Sequence, residues 1–215
     1  MNSIFVTTSV FLIAIFLFMN FSKMRPRKLG LIILILTVSG LFFIGFRFTA
    51  ASALPFGSEV IKTIDTDYGK AVLYEDRNVD TFGIAHVNRT LGLLYYYGGG
   101  STDYSVEEGE PFQAAGFGSK ESFMVGVKTN DPTLKYIVIG SHLDTPEEIE
   151  KDNFSLVTVN EHPESYTIQE VVGGYAFFVL DEYSEATWTI RALDEDRQLI
   201  GEKMFYEGQA RYVGE

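Results

Sequence analysis

The 215-residue chain carries 17 basic and 29 acidic side chains and no cysteine, which excludes thiol nucleophiles, thiolate zinc centres, disulfide staples and thiol redox chemistry. The charge is unevenly placed: residues 1–50 hold five basic and no acidic side chains, leaving 12 basic against 29 acidic beyond them, a net of −17. Such a surface lacks the basic footprint that nucleic acid needs and disfavours docking on anionic lipid.

Within the acid-free region, IFVTTSVFLIAIFLFMNF (4–21) and LGLIILILTVSGLFFIGF (29–46) contain no charge. Each comes near the ~20 residues a helix needs to cross a bilayer core, and neither keeps a polar face. The expectation is a transmembrane helical hairpin over 1–53, with spans at about 4–21 and 29–48, inserted in the lipid bilayer. The connector SKMRPRK holds Lys23, Arg25, Arg27 and Lys28. That places loop 22–28 in the cytoplasm, and the N-terminus and the C-terminal domain outside it. Arg47, at the outer end of the second span, is expected to snorkel to the interface. A competing reading takes 23–53 as a signal peptide cleaved after ASA (51–53); the apolar stretch is long for an h-region and a first span precedes it. Both readings put residues 54–215 outside the cytoplasm.

In that exterior domain, SEVIKTIDTDYG (58–69) spaces Val60, Ile61 and Ile64 as a short amphipathic helix would, with a strand as the close alternative. From Lys70 the period becomes two. AVLYE, TFGIAHV, LGLLYYY, SFMVGVKT, LKYIVIG, FSLVTVN, YTIQEVV, YAFFVLDE and EATWTIRAL read as strands rich in β-branched and aromatic residues. In the last of these, Ala186, Trp188, Ile190 and Ala192 alternate with Thr187, Thr189 and Arg191, as in a half-buried strand. NRTLG, TNDP and LDEDRQ carry turn chemistry, Asn130 and Asp131 being able to cap the second with their side chains. Strands in hairpin succession predict a mainly antiparallel β exterior domain over 54–215, sandwich-like, or α+β if the short helix forms. The stretch 98–120 has no periodicity and reads as a long loop; a division of the domain into two subunits near 98–110 is the alternative to a single β domain.

Two fragments, VGVKTNDPTLKYIVIG and TIRALDEDRQLIGE, resemble stretches in uncharacterised small membrane-anchored exterior β-domains of Gram-positive bacteria. The resemblance covers the part of the chain after residue 120. It implies a β-sandwich-like module in the cell envelope and carries no activity.

YIVIGSHLDT (136–145) has the form in which di-zinc peptidases present a ligand histidine, with His142 as ligand and Asp144 orienting it. The rest of that set is not supplied in the family's order: Glu147 and Glu148 follow at once, and His162 is the only later histidine. A simpler zinc site at His142, Asp144 and His162, or calcium among carboxylates, is the alternative to no cofactor at all. His86 follows Phe82 and Ile84 on one strand face and reads as a satisfied, partly buried histidine. Tyr95, Tyr96 and Tyr97, beside three glycines, are the candidate binding surface, since tyrosines offer large area with a polar tip. No catalytic set is complete. The expected function is thus a membrane-anchored extracytoplasmic binding or structural protein of the cell envelope, without catalysis, acting on a protein or envelope partner. The alternatives are a metal-dependent hydrolase centred on His142 and Asp144, and a regulator or immunity-type partner of another membrane protein.

Overall fold

A computed structural model of the chain describes residues 26–119, 122–141, 154, 156–161, 163, 165–180, 188–204 and 207–213. It contains two compact units, Met1–Phe46 and Arg47–Glu215. In the first, helix α1 (Pro26–Phe43) begins on a proline, whose fixed φ suits a first helical turn. The consecutive side chains Ile33, Leu34, Ile35 and Leu36 are all exposed, so the helix is apolar around its circumference.

The helix stops at a Schellman motif. Gly45 takes φ +100°, its N–H reaches the Phe42 carbonyl at 3.2 Å, and the Phe46 N–H reaches Leu41 at 3.0 Å. The second span, expected over 29–48, is therefore helical only to Phe43, and its charge-free part is about 22 Å long at the α-helical rise. Among the described residues no helix is long and apolar enough to cross a membrane. The first span, 4–21, lies outside the described residues.

The second unit starts at Arg47, whose backbone exchanges hydrogen bonds of 2.7 and 2.8 Å with Tyr95. A single-turn helix α2 (Ala50–Ala53) follows, capped by the Thr49 hydroxyl, which accepts from the Ser52 N–H at 3.2 Å. The remainder is antiparallel β in three sheets. The first is a meander, β1 (Ser58–Thr66), β2 (Gly69–Asp76), β3 (Thr81–Thr90) and β4 (Leu94–Tyr104). The middle sheet is β5 (Gln113–Ser119), β6 (Ser122–Lys128) and β9 (Tyr175–Leu180). The third has the order β12-β11-β10-β7-β8, from β7 (Tyr136–Ser141), β8 (Tyr166–Glu170), β10 (Trp188–Leu193), β11 (Leu199–Met204) and β12 (Glu207–Tyr212). Helix α3 (Leu156–Glu161) lies between β7 and β8 in sequence.

The sheets are stacked, and the middle one is buried on both faces. From β6, Phe123, Val125 and Val127 pack with Ile137, Ile139, Ile190 and Ala192 of the third sheet. Met124, between them, packs instead with Leu73, Phe82 and Ile84 of the first. β9 divides in the same way, Phe178 to one side and Phe177 to the other. The outer face of the first sheet, with Val72, Tyr74, Ala85 and Val87, is covered by Ala53 and Leu54. That of the third, with Val138, Tyr166 and Leu193, is covered by Phe154 and by Val159 of α3.

Several local expectations are corrected. Residues 58–66 form strand β1 rather than a helix: a bulge between Val60 and Lys62 puts Val60 on the outer cluster and both Ile61 and Ile64 on the inner one. The one-and-four spacing thus comes from a bulge, which shifts the face by one residue. FSLVTVN was expected as a strand, yet Leu156–Glu161 is helical, and its apolar residues cap a sheet instead of joining it. The supposed loop 98–120 contains most of β4 and all of β5, whose glycines and small residues hid their period. TNDP carries the chain from the middle sheet to the third instead of closing a hairpin, and Asp131 does cap it, accepting from the Thr133 N–H at 2.8 Å. The β10 strand is buried on both faces, since Thr189 and Arg191 are as enclosed as Ile190.

The interface between the first and middle sheets rests on two details. At Gly126 an added Cβ would stand 2.6 Å from Ile84 Cγ2 and 2.9 Å from Leu73 Cδ1. One end of the same interface carries an ion cluster: Lys128 Nζ donates to Glu75 Oε1 at 3.1 Å and Asp80 Oδ1 at 2.8 Å, and the Tyr175 hydroxyl donates to Glu75 Oε1 at 2.8 Å. Lys128 is only 8% exposed. Burial opposes the charge on Glu75, but the hydrogen bonds from Tyr175 and Lys128 outweigh it and hold the carboxyl below its ordinary 4.5. Burial together with the bond to Glu75 pushes the Tyr175 phenol up to about 12.

Two outcomes follow for stability. Gly126→Ala should cost about 1–3 kcal/mol by overpacking, seen as a lower thermal midpoint; an unchanged midpoint would mean the two sheets can separate freely. Glu75 contributes stability that is full above 4.5 and lost as pH falls through its lowered value, whereas Tyr175 contributes stability that is full below 10 and lost as pH rises towards about 12. Tyr175→Phe should therefore flatten the alkaline limb of the midpoint-versus-pH curve, and Lys128→Met, which leaves Glu75 with the Tyr175 hydroxyl and the looser Arg77 pair at 3.8 Å, should cost about 1–3 kcal/mol at neutral pH.

Candidate functional site

Opposite in character to the packed core is a cleft of about 660 Å³ between the first and middle sheets. Its walls come from the β1–β2 turn (Asp65, Thr66, Asp67, Tyr68), from His86 of β3, and from Phe117, Ser119, Ser122, Met124 and Val179 of the middle sheet. The turn is held close to β3. Gly69 has φ +147°, and a Cβ there would strike the Val87 carbonyl oxygen, while the Arg89 N–H reaches the Tyr68 carbonyl at 3.1 Å. That approach lays the Tyr68 ring on the His86 imidazole, centroids 3.7 Å apart and planes tilted by 58°.

Two of the lining side chains each hold a polar atom that is buried without a hydrogen-bond partner: His86 Nε2 and Thr66 Oγ1. Buried polar groups are normally satisfied, and each one left over costs about 1–3 kcal/mol and calls for an explanation such as a ligand or water. Burial holds the His86 imidazole below its ordinary 6.5, a side-chain hydrogen bond with Asn88 acting the other way. Nearby, the Ser122 hydroxyl donates to the Tyr68 oxygen at 3.4 Å. Asp65 is drawn below the usual carboxylate range by the hydrogen bond from Lys70, at 2.6 Å.

The site is thus one that sequence reasoning set aside, since His86 was expected to be satisfied. Its position on the Phe82 and Ile84 face is as expected, but the strand runs past the packed core into the cleft. Of the tyrosines, Tyr95 is half-buried, packs in the outer cluster, and has the Arg89 guanidinium 5.9 Å from its ring. Tyr96 and Tyr97 are 37% and 39% exposed. Register sets Tyr96 opposite Asn88, two residues along β3 from His86, so the aromatic strip borders the cleft strand without lining the cleft. His142, Asp144 and His162 lie outside the described residues. Among the described residues no group of three metal-ligating side chains comes together.

Comparison of the chain with known protein families, with curated proteins and with solved structures finds no match.

His86 is expected to titrate below 6.5, its stabilising contribution being full above 6.5 and lost as pH falls through the folded value. Ring-proton NMR shifts against pH, with thermal midpoints for wild type and His86→Gln, check this. Acidification should cost the wild type more than the variant; a ring titrating at or above 6.5 would mean the imidazole is solvated.

Proposed function

We propose that this is a membrane-anchored, extracytoplasmic binding protein of the cell envelope, non-catalytic, whose β domain holds a small polar ligand in the cleft between its first two sheets. The observation that carries the binding reading is the 660 Å³ cleft itself, with polar side chains from Thr66, Tyr68, His86 and Ser122 set beside Phe117, Met124 and Val179. A cavity of that size suits a small molecule, and a few convergent polar groups among apolar walls are what such sites contain. The absence of catalysis is argued from the chemistry at hand: the His86 ring is covered by the tilted Tyr68 ring, and the described lining offers no activated nucleophile beside it.

Anchoring is supported by the acid-free first 50 residues, by the basic SKMRPRK connector, and by the apolar circumference of α1. On this reading the helical hairpin is the anchor, Arg27 and Lys28 reach the cytoplasmic interface, and local bilayer thinning offsets the shortness of α1. The large negative charge of the remainder suits residence on the outer side, where the positive-inside rule puts the segments poor in Lys and Arg.

Two measurements test this. Protease added to intact cells should remove the β domain while the hairpin stays in the carbonate-washed membrane; a domain protected until the cells are opened would overturn the orientation. Native mass spectrometry of the chain released from its own membrane should show a small-molecule adduct that Ser122→Phe, which fills the cleft, abolishes. A bare mass for the wild type, or an adduct that survives Ser122→Phe, would remove the binding reading.

A further inference from the structure

The end of the first sheet where the chain enters the β domain differs in charge from the rest of that domain. Between Asp80 and Asp103 the β3–β4 hairpin contains no acidic residue, although the chain beyond residue 50 carries 29. Residues 47–58, which lead into β1, are free of acid as well. The two stretches meet, because the backbones of Arg47 and Tyr95 are bridged by hydrogen bonds of 2.7 and 2.8 Å. Their only Lys or Arg side chains are those of Arg47 and Arg89. On the neighbouring β1–β2 turn, Asp65 is paired with Lys70 at 2.6 Å.

The tip of this hairpin is built against local preference. The Leu93 N–H returns to the Thr90 carbonyl at 3.2 Å, closing a turn whose central residues, Leu91 and Gly92, have φ +51° and +72°. Positive φ at both central positions is the type I′ pattern, which Asn and Gly adopt readily and a leucine does not. The Arg89 guanidinium fastens the turn, its Nε donating to the Gly92 carbonyl at 2.9 Å. The result is exposure of apolar side chains. Leu91 is 83% and Leu93 56% exposed, and Phe48, next to the bridged Arg47, is exposed too. The Arg89 N–H bonds the Tyr68 carbonyl, so Leu91 reaches two residues, about 7 Å, beyond the level of the β1–β2 turn. Asp67 stays behind on that shorter turn.

Leucines at a strained tip, tyrosines behind them and no acid between match the depth order of a lipid interface. There apolar side chains enter the acyl boundary, tyrosine rings sit at headgroup level, and arginines reach up to phosphate. A protein partner fits less well, since a stable interface needs a broad face and this is a narrow tip. We infer that the β3–β4 tip inserts Leu91 and Leu93 into the outer leaflet, with Tyr96 and Tyr97 at headgroup level, and so seats the β domain on the membrane. The inference rests on the proposed anchoring, in which the chain leaves the bilayer just before Arg47, and goes beyond it by giving the domain a second membrane contact. Tethering keeps the lipid surface within reach of the tip, so a small apolar contact suffices. The contact is apolar and needs no anionic lipid, which the net charge of −17 beyond residue 50 would repel.

The experiment uses a single thiol in a chain that has no cysteine. Full-length Leu91→Cys and Leu93→Cys, each labelled with nitrobenzoxadiazole, are reconstituted into phosphatidylcholine nanodiscs, with Val79→Cys as the reference. Val79 is 62% exposed and lies in the β2–β3 turn, at the opposite end of the same sheet. Lipid brominated high on its acyl chains should quench the two tip probes at least about twofold more than the Val79 probe, and aqueous iodide should do the reverse. Retained chains whose tip probes are quenched by bromolipid no more than Val79 would overturn the docking and leave the anchor in place. A chain that does not stay with the discs would overturn the anchoring and the docking together. Tip probes shielded from iodide in the native membrane, yet unquenched in discs of lipid alone, would assign the tip to a protein and overturn lipid as its partner.

Discussion

The double burial of the middle sheet is the constraint on which the β domain depends. A strand covered on one side alternates apolar and polar residues, whereas β6 must satisfy two different partners with successive side chains, and FMVGV is apolar throughout for that reason. Large residues face the third sheet, where Ile137, Ile139 and Ile190 interleave with them. The face towards the first sheet is flatter, and Gly126 lets Ile84 and Leu73 descend onto the β6 backbone. Dispersion contacts of this closeness are lost steeply with separation, so one missing side chain sets the distance between two sheets.

That spacing also explains where the cleft lies. The first and middle sheets touch closely along Leu73, Ile84, Met124 and Gly126, and an ion cluster of Lys128, Glu75, Asp80 and Tyr175 holds one end. The other end is bounded by the β1–β2 turn and the Phe117–Ser122 region, where small and polar residues leave the space unfilled. His86 sits where packing gives way to opening, on the same strand face as the core residues Phe82 and Ile84. Its buried Nε2 has no hydrogen-bond partner among the described residues, since the strand that carries it there sets none opposite. A domain that keeps such an atom accepts a stability cost at one place.

The outer covers show how local sequence and tertiary demand interact. Ala50–Ala53 and Leu156–Glu161 are too short to persist as isolated helices, for which nucleation alone is prohibitive. Each forms because a sheet face beneath it needs covering, Val72 and Tyr74 in one case and Val138 and Leu193 in the other. The second also encloses Arg191, whose guanidinium lies 4.4 Å over the Phe154 ring and whose buried position lowers its hold on its proton. A sandwich with one wet face per sheet would have kept Arg191 in water, which is how its alternation with Ile190 reads in isolation.

From the sequence alone, the antiparallel β character of the domain was legible, because β-branched and aromatic residues at period two, broken by Asp, Asn, Gly and Pro turns, have few other ways to fold. The apolar, acid-free N-terminal region was legible for the same reason: composition is read without knowing any contact. What tertiary structure decided were the features that need two distant segments at once. Ile61 and Ile64 share a face only through a bulge paired against β2, and the 98–120 stretch is mostly strand only because β3 and β6 offer it edges. The cleft belongs to this second group. Thr66, His86, Ser122 and Val179 are scattered along the chain and each is unremarkable in its own neighbourhood; they become a site when sheet stacking brings them to one opening and leaves two of their polar atoms without partners.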